Sequence, residues 1–237
     1  MTRTSRMLCS LSAALLLLGS GAAMAGTEAD PEITDQGDDA NYLSRLDPDP
    51  QTPQFTTPAL DLLKVWFSTR YTVEKDRDAA GAVTRVRYVP DALVASIQTA
   101  GPKRAMYAGG YLLGYVVVAR AQDGCGLQLF ADLDPETGAP DSAQVSGCGP
   151  AIDLDLANVT FAGNTMMMTV PLTVAPFLGP GVPIQPGSAT DPTSARAHFL
   201  GNMAADVAIG GRTFVVGSDV PEDVDCLNTP QHAACAG

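Results

Sequence analysis

Two apolar runs set the pattern of this chain. Across residues 111–120, Tyr111, Leu113, Tyr115, Val117 and Ala119 fall on one face. Across residues 125–133, so do Cys125, Leu127, Leu129, Ala131 and Leu133, because side chains alternate along an extended strand. The polar stretch Ala121-Gln122-Asp123-Gly124 joins the runs, and its Asp-Gly pair favours a tight turn. The pattern predicts a central hairpin in a β-sandwich.

The same period of two recurs on either side. Within residues 60–73, Leu63, Val65, Phe67, Thr69 and Tyr71 alternate with Leu62, Lys64, Trp66, Ser68 and Arg70, which turns Trp66 away from the main apolar row. The charged stretch 74–78, followed by Ala79-Ala80-Gly81, predicts a loop or hairpin tip. A strand over 83–88 should stop before Pro90, and another over 93–99 should carry Leu93, Ala95 and Ile97 on one side. Residues 134–141 are turn chemistry, 143–148 a returning strand, and 159–161 with 165–172 a hairpin closed by Ala162-Gly163-Asn164. Residues 179–186, rich in proline and glycine, predict a surface loop, and 212–217 a last strand. The one predicted helix spans 192–203, where Asp191-Pro192 suits an N-cap with proline in the first turn. Seven or so short strands at even spacing indicate an all-β protein, an antiparallel sandwich with jelly-roll order expected.

Ahead of this pattern, Arg3 and Arg6 precede an apolar run from Leu11 to Met24 that ends in Ala23-Met24-Ala25. That run is shorter than the ~20 residues of a spanning helix and reads as an export signal cut before Gly26, with no membrane span expected. Residues 26–58 follow as an acidic, proline-dotted extended leader, 59–218 as the sandwich and 219–237 as an irregular tail. The formal charge of −12 becomes more acidic once two arginines leave with the signal. Such a surface repels phosphate backbones and argues against nucleic acid as a partner.

Four cysteines remain beyond the signal: Cys125, Cys148, Cys226 and Cys235. An even number in an exported chain predicts two disulfides; three pairings are open, and proximity favours Cys125 with Cys148 and Cys226 with Cys235. A secreted protein, extracellular or associated with the cell envelope, and a monomer, is the expectation.

The equipment for catalysis is sparse. Only His198 and His232 are available to a hydrolytic triad, and neither lies beside a Gly-x-Ser-x-Gly turn. Paired carboxylates for glycoside hydrolysis carry no signal among 26 acids, so no enzyme is expected, with a hydrolase kept as a third reading. Calcium is the candidate cofactor, at Asp35, Asp38 and Asp39 or at Asp132, Asp134 and Glu136, since hard cations take loop carboxylates in alternation. Met166 and Met168 alternate with Val170 and read as core filling rather than soft-metal ligands. Asn158-Val159-Thr160 has the form of a glycosylation sequon.

Asp30-Pro31 to Gly37-Asp38, Pro58-Ala59-Leu60-Asp61 opening a strand, the stretch from Met166 to Pro171-Leu172, and Asp206-Val207-Ala208 before the last strand resemble exported bacterial β-sandwich modules of the DOMON and family-9 carbohydrate-binding type. The resemblance implies a jelly roll that binds sugar or haem, often with a structural calcium. Fold carries over better than ligand. The leading expectation is a non-catalytic module that binds cell-surface glycan through Trp66, Tyr107, Tyr111 and Tyr115. The alternative is an envelope protein acting through protein contacts, with the leader as a flexible arm.

Overall fold

A computed structural model describes residues 26–37, 61–101, 113–121, 126–134, 137–147, 149–181, 183–185, 193–199, 203–210, 214–217 and 223–236; for 113–121, 126, 183–185, 193–199 and 203–210 it is the backbone that is described. The strands in chain order are β1 (Ile33–Thr34), β2 (Leu62–Arg77), β3 (Val83–Thr99), β4 (Leu113–Ala121), β5 (Gly126–Leu133), β6 (Pro140–Ser146) and β7 (Ile152–Asp153). They continue as β8 (Val159–Ala162), β9 (Thr165–Pro171), β10 (Pro183–Gln185), β11 (Thr193–Phe199), β12 (Met203–Gly210), β13 (Phe214–Val215) and β14 (Val224–Asp225). Among the described residues every strand pairing is antiparallel, and helix is limited to single 3-10 turns at Leu156–Asn158, Pro176–Leu178 and Ala233–Cys235.

Two sheets result. One runs β1-β2-β3-β9-β8 with β14 added on β3; the other runs β12-β11-β4-β5-β6-β7, with β10 lying against β4 and β13. The hairpin expected from the apolar runs is present as β4 and β5, in register from Leu113 opposite Leu133 to Arg120 opposite Gly126. Its second strand buries Leu127, Leu129, Ala131 and Leu133 completely or nearly so. These side chains join Val65, Phe67, Leu93, Ala95, Ile97, Met166, Met168 and Val170 of the other sheet in one apolar cluster. The Phe67 and Phe214 rings stack between the sheets, centroids 5.9 Å apart and 26° from parallel. Met166 and Met168 therefore fill the core, as the alternation predicts.

Several expectations are corrected by long-range pairing. The helix predicted over 192–203 is replaced by strand among the described residues: β11 fills 193–199 and β12 begins at Met203, with Ser194 opposite Val118 and Phe199 opposite Leu113 on β4. Local helix propensity is worth a few tenths of a kcal/mol per residue, and a ladder on both sides of β11 outweighs it. Pro90 does not end a strand either. β3 runs through it because Arg70 pairs with Ala92 and Tyr71 with Pro90, leaving Asp91 as the extra residue of a bulge, a position that tolerates proline. A second bulge, between Leu62 and Lys64, brings Leu62 onto the buried side with Val65. The charged stretch 74–77 belongs to β2, and the tip is Asp78–Ala82, where Gly81 holds φ at 86° and Asp78 Oδ1 accepts from the Ala80 and Ala82 amides. Within the expected loop 179–186, β10 forms a short strand.

The leader is pinned at β1, where Ile33, 1% exposed, pairs with Val65. In the tail one disulfide is present, Cys226 with Cys235, and β14 lies on β3 with Val224 opposite Val86. Cys125 and Cys148, the other expected pair, lie outside the described residues.

Candidate functional site

The six-stranded sheet has an outer face turned away from the core, and Trp66 sits near its middle. In register across it run Trp66 on β2, Ser96 on β3, Met167 on β9 and Thr160 on β8. Trp66 and Met167 are half-buried, while Ser96 between them is 2% exposed. A small residue flanked by two large ones lets their side chains close over it, so indole and thioether form a shallow apolar platform.

Polar groups border this platform along the strand direction. At one end Gln98 Nε2 donates to Glu28 Oε1 at 2.8 Å and Lys64 Nζ donates to the Glu28 carbonyl at 2.9 Å, which fastens the turn 27–30 against the sheet. That turn closes on itself through the Thr27 and Asp30 backbones. At the other end, beyond Ser68 and Thr169, Arg70 Nε donates to both Asp91 oxygens at 3.1 Å and Thr72 donates to Oδ2 at 3.1 Å. Burial pushes the Asp91 carboxyl up, but the Arg70 and Thr72 hydrogen bonds and the Arg70 charge outweigh it and hold the group below its usual range. The bulge that accommodates Pro90 is what presents Asp91 to Arg70.

Of the other expected ligand-binding residues, only Tyr115 is described, and it does not lie on this face. Tyr115 lies on β4 in the opposite sheet, paired in register with Ala131 and Ala197, so it cannot extend the Trp66 row. Tyr107 and Tyr111 lie outside the described residues. Lys64, Gln98 and the Asp91 cluster escaped the sequence reading, because only the pairing of β2 with β3 shows which polar residues share a face with Trp66.

The described carboxylates of the acidic clusters hold local hydrogen bonds. Asp134 Oδ1 accepts from the Thr137 amide at 2.7 Å and its hydroxyl at 2.8 Å, local bonds that tie the two ends of the β5–β6 connection. Asp132 Oδ2 accepts from Ser142 across the same pair of strands. Asp35 lies just beyond β1, its amide bonded to the Leu63 carbonyl, and Asp38, Asp39 and Glu136 lie outside the described residues. Among the described residues no group of three or more His, Cys, Asp or Glu side chains is placed to hold a metal.

An open cleft of about 490 Å³ lies where the tail meets the projecting half of the β2–β3 hairpin, lined by Tyr88, Asp223, Asp225, Asn228, Thr229 and His232. Its polar atoms serve the tail. Asp225 accepts from the Leu227 amide and the Asn228 amide group, Asp223 binds Arg85 at 3.0 Å, and His232 Nδ1 accepts from the Ala234 amide. His198 is on β11 in the other sheet, so the two histidines belong to separate parts of the fold.

Comparison with protein-family models, with curated proteins and with solved structures finds no match for this chain. Among the described residues no helix is long and apolar enough to cross a membrane. The functional reading therefore rests on the geometry of the outer face.

Proposed function

We propose that this chain is an exported, non-catalytic β-sandwich that binds cell-surface glycan across the outer face around Trp66. The observation that carries the reading is a half-exposed indole at the centre of an open sheet face, bordered by amide, hydroxyl and carboxylate groups. A sugar ring offers an apolar C–H face to an aromatic plane and hydroxyls to groups around its edge. The acidic surface favours a neutral or basic polymer over an anionic one. The sandwich, the jelly-roll order within it and the likeness to DOMON and family-9 carbohydrate-binding modules belong to the same proposal. One apolar cluster fed by both sheets supports the first, and an experimentally determined strand order decides the second.

Polysaccharide pull-down and a glycan array test it. Retention on a neutral glycan, lost at least tenfold in Trp66→Ala with an unchanged melting midpoint, is the expected result; no retention, or retention indifferent to Trp66, removes the reading. The second reading, an envelope protein that works through protein contacts, is favoured by the projecting hairpin, where Val73 is 50% and Val89 37% exposed. Cross-linking on intact cells distinguishes the two, since a protein adduct at that hairpin belongs to the second alone.

A further inference from the structure

Glu32 is an acid with only 6% of its surface exposed. Its Oε2 accepts from the Phe67 amide at 2.9 Å, on the edge of β2 next to where β1 docks. A carboxylate taken out of water costs several kcal/mol unless charge and hydrogen bonds compensate it. Gly26 lies directly against it: the glycine is buried, and a Cβ built there would overlap both carboxylate oxygens of Glu32. The Gly26 Cα therefore touches the carboxylate, and its nitrogen is one bond of ~1.46 Å away. The turn that begins at Gly26 is held over the sheet by Lys64 and Gln98 through Glu28, which fixes the chain end in this place.

Gly26 is also the residue that the export signal, ending in Ala23-Met24-Ala25, leaves first in the processed chain. We infer that signal removal brings a positive charge to Glu32: the new α-ammonium of Gly26 forms a buried ion pair with the Glu32 carboxylate, which already accepts from the Phe67 amide, and locks the turn 27–30 and β1 onto the edge of β2. The step is a hydrolysis. Water cleaves the Ala25–Gly26 peptide bond, its hydroxyl goes to the Ala25 carbonyl carbon and its proton to the Gly26 nitrogen, which takes a second proton from solvent at neutral pH. Before the cut the same nitrogen is a neutral amide and brings no charge. A side chain at this position would displace the carboxylate from where it lies.

This inference rests on the expected export cut and is independent of glycan binding. The test uses the exported, processed protein in four forms: wild type, a chain with one serine inserted between Ala25 and Gly26, Glu32→Gln, and Glu32→Gln with the insertion. N-terminal sequencing of the wild type should begin at Gly26. The serine-extended chain should melt about 5 °C or more below wild type, and the extension should cost far less in the Glu32→Gln background. At neutral pH an amine-reactive reagent should label the wild-type α-amine about tenfold more slowly in the native than in the urea-unfolded chain. This measurement carries the test alone if Glu32→Gln does not fold. A processed chain starting elsewhere, a midpoint indifferent to the extension, an equal cost in both backgrounds, or an unprotected amine would each overturn the pairing while leaving the glycan reading intact.

Discussion

If the two sheets share one core, the Phe67 and Phe214 rings are where they meet, and removing one should be felt by the other. Phe67 is 1% exposed and Phe214 fully buried, with centroids 5.9 Å apart. A buried aromatic side chain removes ~150–250 Å² from water, which at ~25 cal/mol per Å² is about 4–6 kcal/mol as an upper bound. Phe→Ala substitutions in packed cores cost about 3–5 kcal/mol once partial collapse of the cavity is included, and Phe67→Ala should fall in that range. Phe67→Leu, which keeps most of the volume, should cost about 1–2 kcal/mol. Urea unfolding followed by tryptophan fluorescence reads these losses, since Trp66 is the only tryptophan and adjoins Phe67 in β2. The decisive quantity is the coupling. Phe67→Ala and Phe214→Ala together should cost about 1 kcal/mol less than the sum of the single losses, because the second deletion removes a contact already lost. Additive losses, or a Phe67→Ala cost under about 1 kcal/mol, would mean that the rings do not share a core, and the one-core account of the fold would fail.

Three further outcomes follow from the geometry. Asp91→Asn should cost about 0.5–1 kcal/mol at neutral pH, discounted because Arg70 is half exposed. A carboxyl held low in the folded state stabilises above its unfolded value of about 3.9, and that contribution disappears as pH falls through the lower folded value, so the gap between variant and wild type should close below about pH 4; a gap that persists there refutes the ion-pair account. Asp134→Ala should cost about 1 kcal/mol through the lost bonds to Thr137, equally in calcium and in chelator, whereas a calcium-dependent difference in melting would make that turn a cation site. Cys226→Ser should release the tail at a cost of about 2–3 kcal/mol, seen as faster hydrogen exchange where the residue 226 amide meets the Thr84 carbonyl; unchanged exchange would show that β14 holds without the bridge.

What could be read from the residues alone follows the strength of the local pattern. The β4–β5 hairpin and the β8–β9 hairpin carry both alternation and turn residues, so local sequence determines strand, turn and register together. Residues 192–203 carry a good helix start, and nothing local announces that β4 offers a free edge there. That edge is a non-local fact, and it decides the outcome. Pro90 misleads for a related reason: a proline ends a strand only if the ladder must continue through its missing donor, and the bulge at Asp91 removes that demand.

The candidate site divides along the same line. Period-two alternation was enough to turn Trp66 away from the core, since that conclusion needs one strand. It was not enough to find the neighbours, which come from β3 and β9 through pairings of distant segments, or to place Tyr115, which belongs to the other sheet. In the acidic runs, residues close in sequence hold separate local partners. Asp134 spends its carboxylate on Thr137 three residues later, and Asp132 on Ser142 across the strand pair. A carboxylate near a turn is first a turn residue, because the backbone amides it satisfies would otherwise lack partners. Glu32 is the informative exception. It is buried, its carboxylate accepts from the Phe67 amide of β2, and it lies against Gly26, the residue at which the expected export cut would leave the processed chain.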